Sequence, residues 1–125
     1  GDTGAYLMYS LARIAGIFRK ASVTVDLHKG VADGEGFGHE AERALLGHLM
    51  RYPDAVTRAA NAYDASIIAG FVYEGARLFS RFYSHCPILK AEGSLRDARL
   101  TLTALTGEVL SMALGLLGIE PVDSM

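Results

Sequence analysis

The chain has 125 residues, and a composition that is 50% hydrophobic and 21% charged excludes a disordered segment and suits one globular domain with a substantial core. The net charge of -2 and the pI near 6.1 exclude a protein that holds nucleic acid by bulk positive charge, so any such contact must depend on local placement of basic groups. The single cysteine, Cys86, excludes an internal disulfide and a cysteine metal cluster, and it is typical of a reducing compartment.

Residues 4–20 predict an amphipathic helix, for which Asp2 or Thr3 would supply the N-cap. Its apolar face carries Leu7, Leu11, Ile14 and Phe18. The opposite face carries rings and cations, namely Tyr6, Tyr9, Arg13 and Lys20. Two interpretations remain open from the residues alone. The polar face is either a solvated flank or a platform on which unpaired bases stack.

Residues 22–38 hold four glycines and little periodicity, which indicates a long connection or a variable insertion whose role the sequence does not give. The run Gly34-Glu35-Gly36-Phe37-Gly38 is not a dinucleotide loop, because its sixth position is His39 and no adequate strand precedes it. The sequence therefore assigns no cofactor to this segment.

Residues 39–51 predict a second helix, which Pro53 ends while it opens the next one at a first helical position. The pair His39-Glu40 lacks the second histidine of a zinc-protease helix, since Arg43 stands there. The four histidines show no ligand spacing, so we expect no metal site.

Residues 64–86 predict a strong helix with Asp64 as its cap. Its apolar face is formed by Ile68, Phe71, Val72, Gly75, Phe79, Phe82 and Cys86. Arg77 and Arg81 lie on the other side, either as a solvated face partly paired with Glu74 or as phosphate contacts. Cys86 has no neighbouring base in the sequence, which indicates a buried structural thiol.

The last predicted helix begins at Ser94, where Ser94 and Asp97 form a capping box, and ends at Gly118, with Pro121 preventing its resumption. One stripe consists of Ala98, Leu102, Leu105, Val109, Met112, Ala113 and Leu116, and further leucines lie on the other sides, at positions 100, 110, 114 and 117. A helix that is apolar on several sides belongs in the middle of a bundle. Arg99 and Glu108 exclude a membrane span.

Four segments, in order, resemble the anticodon-binding domain of arginyl-tRNA synthetases. The C-terminal run from Arg96 contains Asp97-Ala98-Arg99-Leu100, which is similar to the Asp-Ala-Leu-Arg motif of that domain with its last two letters exchanged, and it ends with Pro121 and Met125 as those enzymes do. The segments YLMYSLARI, LMRYPDAVTRAA and IIAGFVYEGARLFSRFYSHCPIL are similar to the corresponding earlier parts of the family.

The resemblance implies an all-α fold, a bundle of about five helices around a central C-terminal helix, with residues 1–125 forming one anticodon-binding domain. It implies that the tRNA anticodon is contacted by Tyr9, Arg13, Tyr83, Arg99 and Met125. The implied full-length enzyme is cytoplasmic and ligates arginine to its tRNA; ATP and Mg²⁺ belong to its catalytic domain, which would be a partner within the same chain. The domain itself would need no cofactor, metal or membrane and would contain no catalytic residue.

The chain begins Gly-Asp-Thr without a start methionine, which predicts a C-terminal fragment of a longer protein. Two alternatives stay open. The chain could be a stand-alone adaptor that binds tRNA for a modification enzyme, and synthetase signatures in the upstream reading frame would exclude this. It could also be a structural helical module that dimerises through an apolar face, which failure to bind any tRNA at low salt would favour.

Overall fold

The computed structural model describes residues 3–23 and 37–118, and this part of the chain contains five helices and no strand. The helices are α1 (Thr3–Ala21), α2 (Glu40–Leu49), α3 (Tyr52–Ala62), α4 (Ser66–His85) and α5 (Gly93–Leu116). The all-helical prediction is confirmed. Residues 24–36 of the glycine-rich segment lie outside the described residues, as do Asp2, Pro121 and Met125.

The helix that packs against all four others is α4, while α5 packs mainly on α1, α2 and α4. Two helices therefore share the centre of the bundle: the C-terminal α5, which the sequence prediction placed there, and α4. In α4 every residue of the predicted apolar face lies in the core. In α5 the buried residues extend from Ala98 to Leu114, although Met112 and Leu116 of the predicted stripe are 45% and 58% exposed.

Close packing of α4 on α5 depends on Gly75. A Cβ atom at this position would lie 2.9 Å from Leu110 Cδ2, which is closer than two carbon atoms approach without a shift. Leu110 is fully buried, so it has little room to move away. The glycine therefore sets the distance between the two helices.

The helix ends depart from the sequence prediction in one place and match it in others. The start of α5 differs from the predicted N-cap at Ser94: the N-cap is Glu92, in extended conformation and without a side-chain cap hydrogen bond, and α5 begins at Gly93. Gly93 has φ +61°, a left-handed conformation that glycine adopts at little cost, and it turns the chain into the helix one residue early. Gly118, with φ +76°, adopts the predicted left-handed conformation after the helix.

Asp64 acts near the start of α4 as predicted, although Ala65 is the residue that precedes the first helical turn. Its carboxylate accepts hydrogen bonds from the Ser66 backbone N–H at 2.9 Å and from the Ser66 hydroxyl at 2.6 Å. These bonds lower the pKa of Asp64. Pro53 lies in the first turn of α3, where its missing N–H has no helical partner to lose.

Cys86 is fully buried at the end of α4, as its place on the apolar face predicted. Burial raises the pKa of its thiol, which disfavours the reactive thiolate. Within the described residues, no helix is both long enough and apolar enough to cross a membrane.

Candidate nucleic-acid interface

The polar face of α1 lies beside α4, and the two helices together present a surface of rings and arginine. Tyr9 is 67% exposed, one helical turn before Arg13, because the buried positions of α1 are taken by Leu7, Leu11 and Ile14 on the other side. The exposed Tyr9 ring is available to stack on a ligand.

Arg13 and Tyr83 are brought together from different helices. The guanidinium carbon of Arg13 lies 4.4 Å from the centroid of the Tyr83 ring, within the range of a cation–π interaction. Tyr83 is 41% exposed, and its other neighbour is the buried ring of Phe79, at 6.3 Å between centroids. The Tyr83 ring is therefore in contact with Arg13 and Phe79 and is partly exposed to solvent.

A hollow of about 250 Å³ separates Tyr9 from α4. Its lining combines rings, hydroxyls and one guanidinium: Tyr6, Tyr9, Ser10, Arg13, Phe79 and Ser80. Tyr6 is itself held by Tyr73 of α4, with 5.8 Å between ring centroids. Flat apolar walls with a few hydrogen-bonding groups are the surroundings that an unstacked base requires.

Arg99, which the resemblance assigns to the anticodon, lies elsewhere in the structure. Its side chain is 11% exposed and its Nε donates to Oε2 of Glu42, which is 1% exposed, at 3.1 Å. Its Nη1 donates to the Pro87 carbonyl at 2.8 Å. These contacts favour a structural role for Arg99. The last expected contact, Met125, lies outside the described residues.

Arg77 and Arg81, for which pairing and phosphate binding were both open, are paired within the fold. Arg77 donates to both carboxylate oxygens of Glu74, at 2.5 and 2.9 Å, and Arg81 lies 3.4 Å from Glu40. The hydrogen bond from Arg77 lowers the pKa of Glu74. The geometry thus favours the solvated, paired face for these two arginines.

The described residues contain no group of three or more histidine, cysteine or acidic side chains that could hold a metal ion. His39 instead caps α2: its Nδ1 accepts from the Ala41 N–H at 3.0 Å, while Glu42 Oε1 accepts from the His39 N–H at 2.9 Å. His48 Nε2 lies 2.8 Å from the Phe71 carbonyl oxygen. The sequence did not predict either arrangement, although Glu42 three residues after His39 has capping-box spacing.

These features define an all-helical domain with one exposed surface of rings and arginine. The family of the DALR anticodon binding domain matches residues 7–125, and the chain belongs to this family. It is 40% identical over 129 residues to the arginine–tRNA ligase of Ectopseudomonas mendocina and 36% identical over 126 residues to that of Pectobacterium atrosepticum. In both cases the match covers 100% of this chain and 21% of the relative, so the chain spans about a fifth of their length.

Solved structures give the same result. The arginyl-tRNA synthetase of Thermus thermophilus is similar with a TM-score of 0.86 and 30% identity, over 100% of this chain and 21% of that one. The arginyl-tRNA synthetase of Plasmodium falciparum is similar with a TM-score of 0.83 and 26% identity, over 100% and 22% of the two chains. The family resemblance of the sequence is therefore confirmed.

Proposed function

We propose that this chain recognises the anticodon loop of arginine tRNA as the C-terminal domain of a cytoplasmic arginine–tRNA ligase. The catalytic domain of that longer protein would use ATP and Mg²⁺, and this domain would supply tRNA selection without a catalytic residue. The observation that carries the proposal is the exposed Tyr9 ring beside the Arg13–Tyr83 contact, on the helix faces that the family resemblance assigns to the anticodon.

The arrangement supports base recognition better than phosphate clamping. Tyr9 and Arg13 line a hollow that also contains the rings of Tyr6 and Phe79, and the partly exposed Tyr83 ring lies next to this hollow, under Arg13. Stacking on rings is the main way in which proteins hold bases of single-stranded loops, and hydrogen bonds to the base edge then discriminate among them. Ser10 and Ser80, which also line the hollow, are side chains able to form such bonds.

Arg99 is left out of the proposed contact set, because its guanidinium is held by Glu42 and Pro87. Met125 stays in the set on the resemblance alone. The remaining contacts are Tyr9, Arg13 and Tyr83. No described feature favours the stand-alone adaptor or the dimerisation module, and a reading frame before Gly1 that encodes synthetase signatures would exclude the adaptor.

Replacement of Tyr9 tests the proposal. In the full-length protein, Tyr9→Ala should lower kcat/KM for arginine tRNA by the equivalent of about 1–3 kcal/mol, the value of one base–ring stack. The thermal midpoint should stay unchanged, because the ring is 67% exposed. Aminoacylation kinetics with a range of tRNA concentrations measures the first quantity and thermal unfolding the second.

The matched control is Tyr63→Ala, since Tyr63 is an exposed tyrosine (97%) at the C-terminal end of α3, away from the hollow. It should charge tRNA as the parent does. If Tyr9→Ala charges tRNA normally while the protein loses stability, the ring is a packing element and the proposal is wrong.

A further inference from the structure

A second depression adjoins the aromatic hollow, and Arg13 lines both. It is an open groove of about 600 Å³ between the C-terminal half of α1, the end of α4 and the connection that follows α4. The groove has an apolar floor, since Ile17 and Ile88 are each 5% exposed. Its polar walls include four cationic side chains: Arg13, Arg19, Lys20 and Lys90.

The positive charge of this groove is not neutralised by the described part of the protein. Among the described residues, none of those that line the groove is acidic. The ion pairs of the described residues involve Arg58, Arg77, Arg81 and Arg99, and none of the four groove cations. Because the whole chain carries a net charge of -2, this is a local concentration of positive charge on an otherwise slightly acidic protein.

Helix stability alone does not explain the arrangement. Arg19 and Lys20 lie in the last turn of α1, where cations interact favourably with the helix dipole. Lys90, however, comes from the non-helical connection between α4 and α5. That connection is tied to α5, because Arg99 Nη1 donates to the Pro87 carbonyl at 2.8 Å. The fold thus fixes a segment that brings a further cation to the basic end of α1.

We infer that this groove binds the phosphates of the single-stranded RNA whose bases stack in the adjoining aromatic hollow. The inference rests on the proposed function, and it adds the path of the RNA backbone. The continuity of the two depressions supports it, because Arg13 is their common wall and a strand that leaves the hollow across Arg13 enters the groove. Lysine and arginine contacts to phosphate position a strand without reading its sequence.

The test uses the full-length protein and a stem-loop RNA that carries the arginine anticodon. The double variant Lys20→Gln/Lys90→Gln should bind this RNA more weakly than the parent. For single strands each neutralised phosphate contributes about 0.7 to the slope of log affinity against log salt. Loss of two contacts should therefore flatten the slope by about 1.4. Titrations at several salt concentrations measure it, and thermal unfolding verifies that the variant is folded.

Arg51→Gln is the matched control for charge. Arg51 is exposed at the junction of α2 and α3, forms no ion pair within the described residues and lines a different depression. Its loss should leave the salt slope unchanged. A second RNA with an exchanged anticodon separates the two proposals. The ratio of the affinity for the arginine anticodon to the affinity for the exchanged anticodon should stay the same in the lysine variant and should decrease in Tyr9→Ala.

A variant that fills the groove without changing its charge tests RNA binding in the groove independently. A Cβ atom at Gly16 would meet only Arg19 Nη2, at 3.6 Å, so Gly16→Leu should fit on the helix while its side chain occupies the groove. RNA binding should weaken, and the thermal midpoint should not fall, since leucine has the higher helix propensity. Gly115→Leu, at an exposed position of α5 where a Cβ meets nothing, is the control.

Several results would overturn the inference. An unchanged salt slope in the double lysine variant, with anticodon preference intact in the parent, rejects the phosphate groove and leaves the proposed function standing. A parent that binds both RNAs equally rejects the proposed function instead. If a polyglutamate peptide binds in a Lys20- and Lys90-dependent manner and the RNA does not, the groove serves an acidic protein partner.

Discussion

The α1–α4 surface and the α2–α5 contact each contain an arginine that reaches a partner on another helix, in opposite environments. Arg13 is exposed and lies over the ring of Tyr83. Arg99 is 11% exposed and pairs with Glu42, which is 1% exposed. Both arginines were candidates for the same RNA site. The fold leaves one of them accessible to a ligand and places the other inside the protein.

The difference follows from the cost of removing a charge from water. A buried guanidinium needs an opposite charge and further hydrogen bonds, and Arg99 has both. The carboxylate of Glu42 is fully used as well, since one oxygen accepts from Arg99 and the other from the His39 N–H. Arg13 remains hydrated, so it keeps donors for a ligand. Exposure, and not residue type, separates Arg13, which we propose contacts RNA, from the structural Arg99.

The largest expected effect is therefore the loss of Arg99. Arg99→Ala should lower the free energy of unfolding by about 3–5 kcal/mol, because it leaves the Glu42 carboxylate buried without its cation. Urea unfolding of the parent and the variant measures the change. The control is Arg81→Ala, which breaks an exposed pair with Glu40 and should cost at most about 1 kcal/mol. Equal losses of unfolding free energy in the two variants would contradict the difference between a buried and an exposed ion pair.

A second, somewhat smaller effect is expected on α5. Leu102 is 1% exposed, and Leu102→Ala should cost about 2–5 kcal/mol of unfolding free energy, the range for leucines that leave a cavity. Leu105, on the same predicted stripe, is only partly buried, so Leu105→Ala should cost clearly less. Urea unfolding measures the midpoints of the two variants, which can be compared directly if their m-values are equal. A larger loss at Leu105 would mean that the predicted stripe, and not the observed burial, describes the core.

Helical spacing was sufficient to predict the buried face of α4 and most of that of α1, because these faces depend on residues three and four apart. It could not predict the place of Arg99. Its partner Glu42 lies 57 residues earlier, and only tertiary packing brings the two together. Within the segment that resembles the motif naming the family, Asp97 is exposed, whereas Ala98 and Leu100 are buried on either side of Arg99.

The basic groove is a second feature that the sequence alone could not predict. Lys20 was visible on the polar face of the first predicted helix, but Lys90 belongs to a short connection without periodicity. Nothing in the sequence places them on one groove, since α4 must first pack beside α1. The N-cap of α5 at Glu92 was also not predicted, because local residue types do not reveal that Gly93 adopts a left-handed conformation there.

The smallest expected effect concerns the Arg13–Tyr83 contact in the free protein. A double-mutant cycle of Arg13→Gln and Tyr83→Leu should give a coupling energy of about 0.5–1 kcal/mol, the value of an exposed cation–π pair. Unfolding free energies of the four proteins yield this number. The cycle of Arg19→Gln with Tyr83→Leu is the control, since Arg19 lines the same groove but no cation–π contact joins it to a ring in the described residues.

A measurable coupling has a consequence for binding. It means that the Tyr83 ring is held in place by Arg13 before any RNA arrives, so less side-chain freedom is lost when the ring contacts a base. Arg13→Lys should then weaken binding although the charge is kept, because an ammonium lacks the planar face that stacks on a ring. A coupling near zero, together with normal binding by Arg13→Lys, would show that Arg13 acts only as a point charge and that the ring is oriented by Phe79.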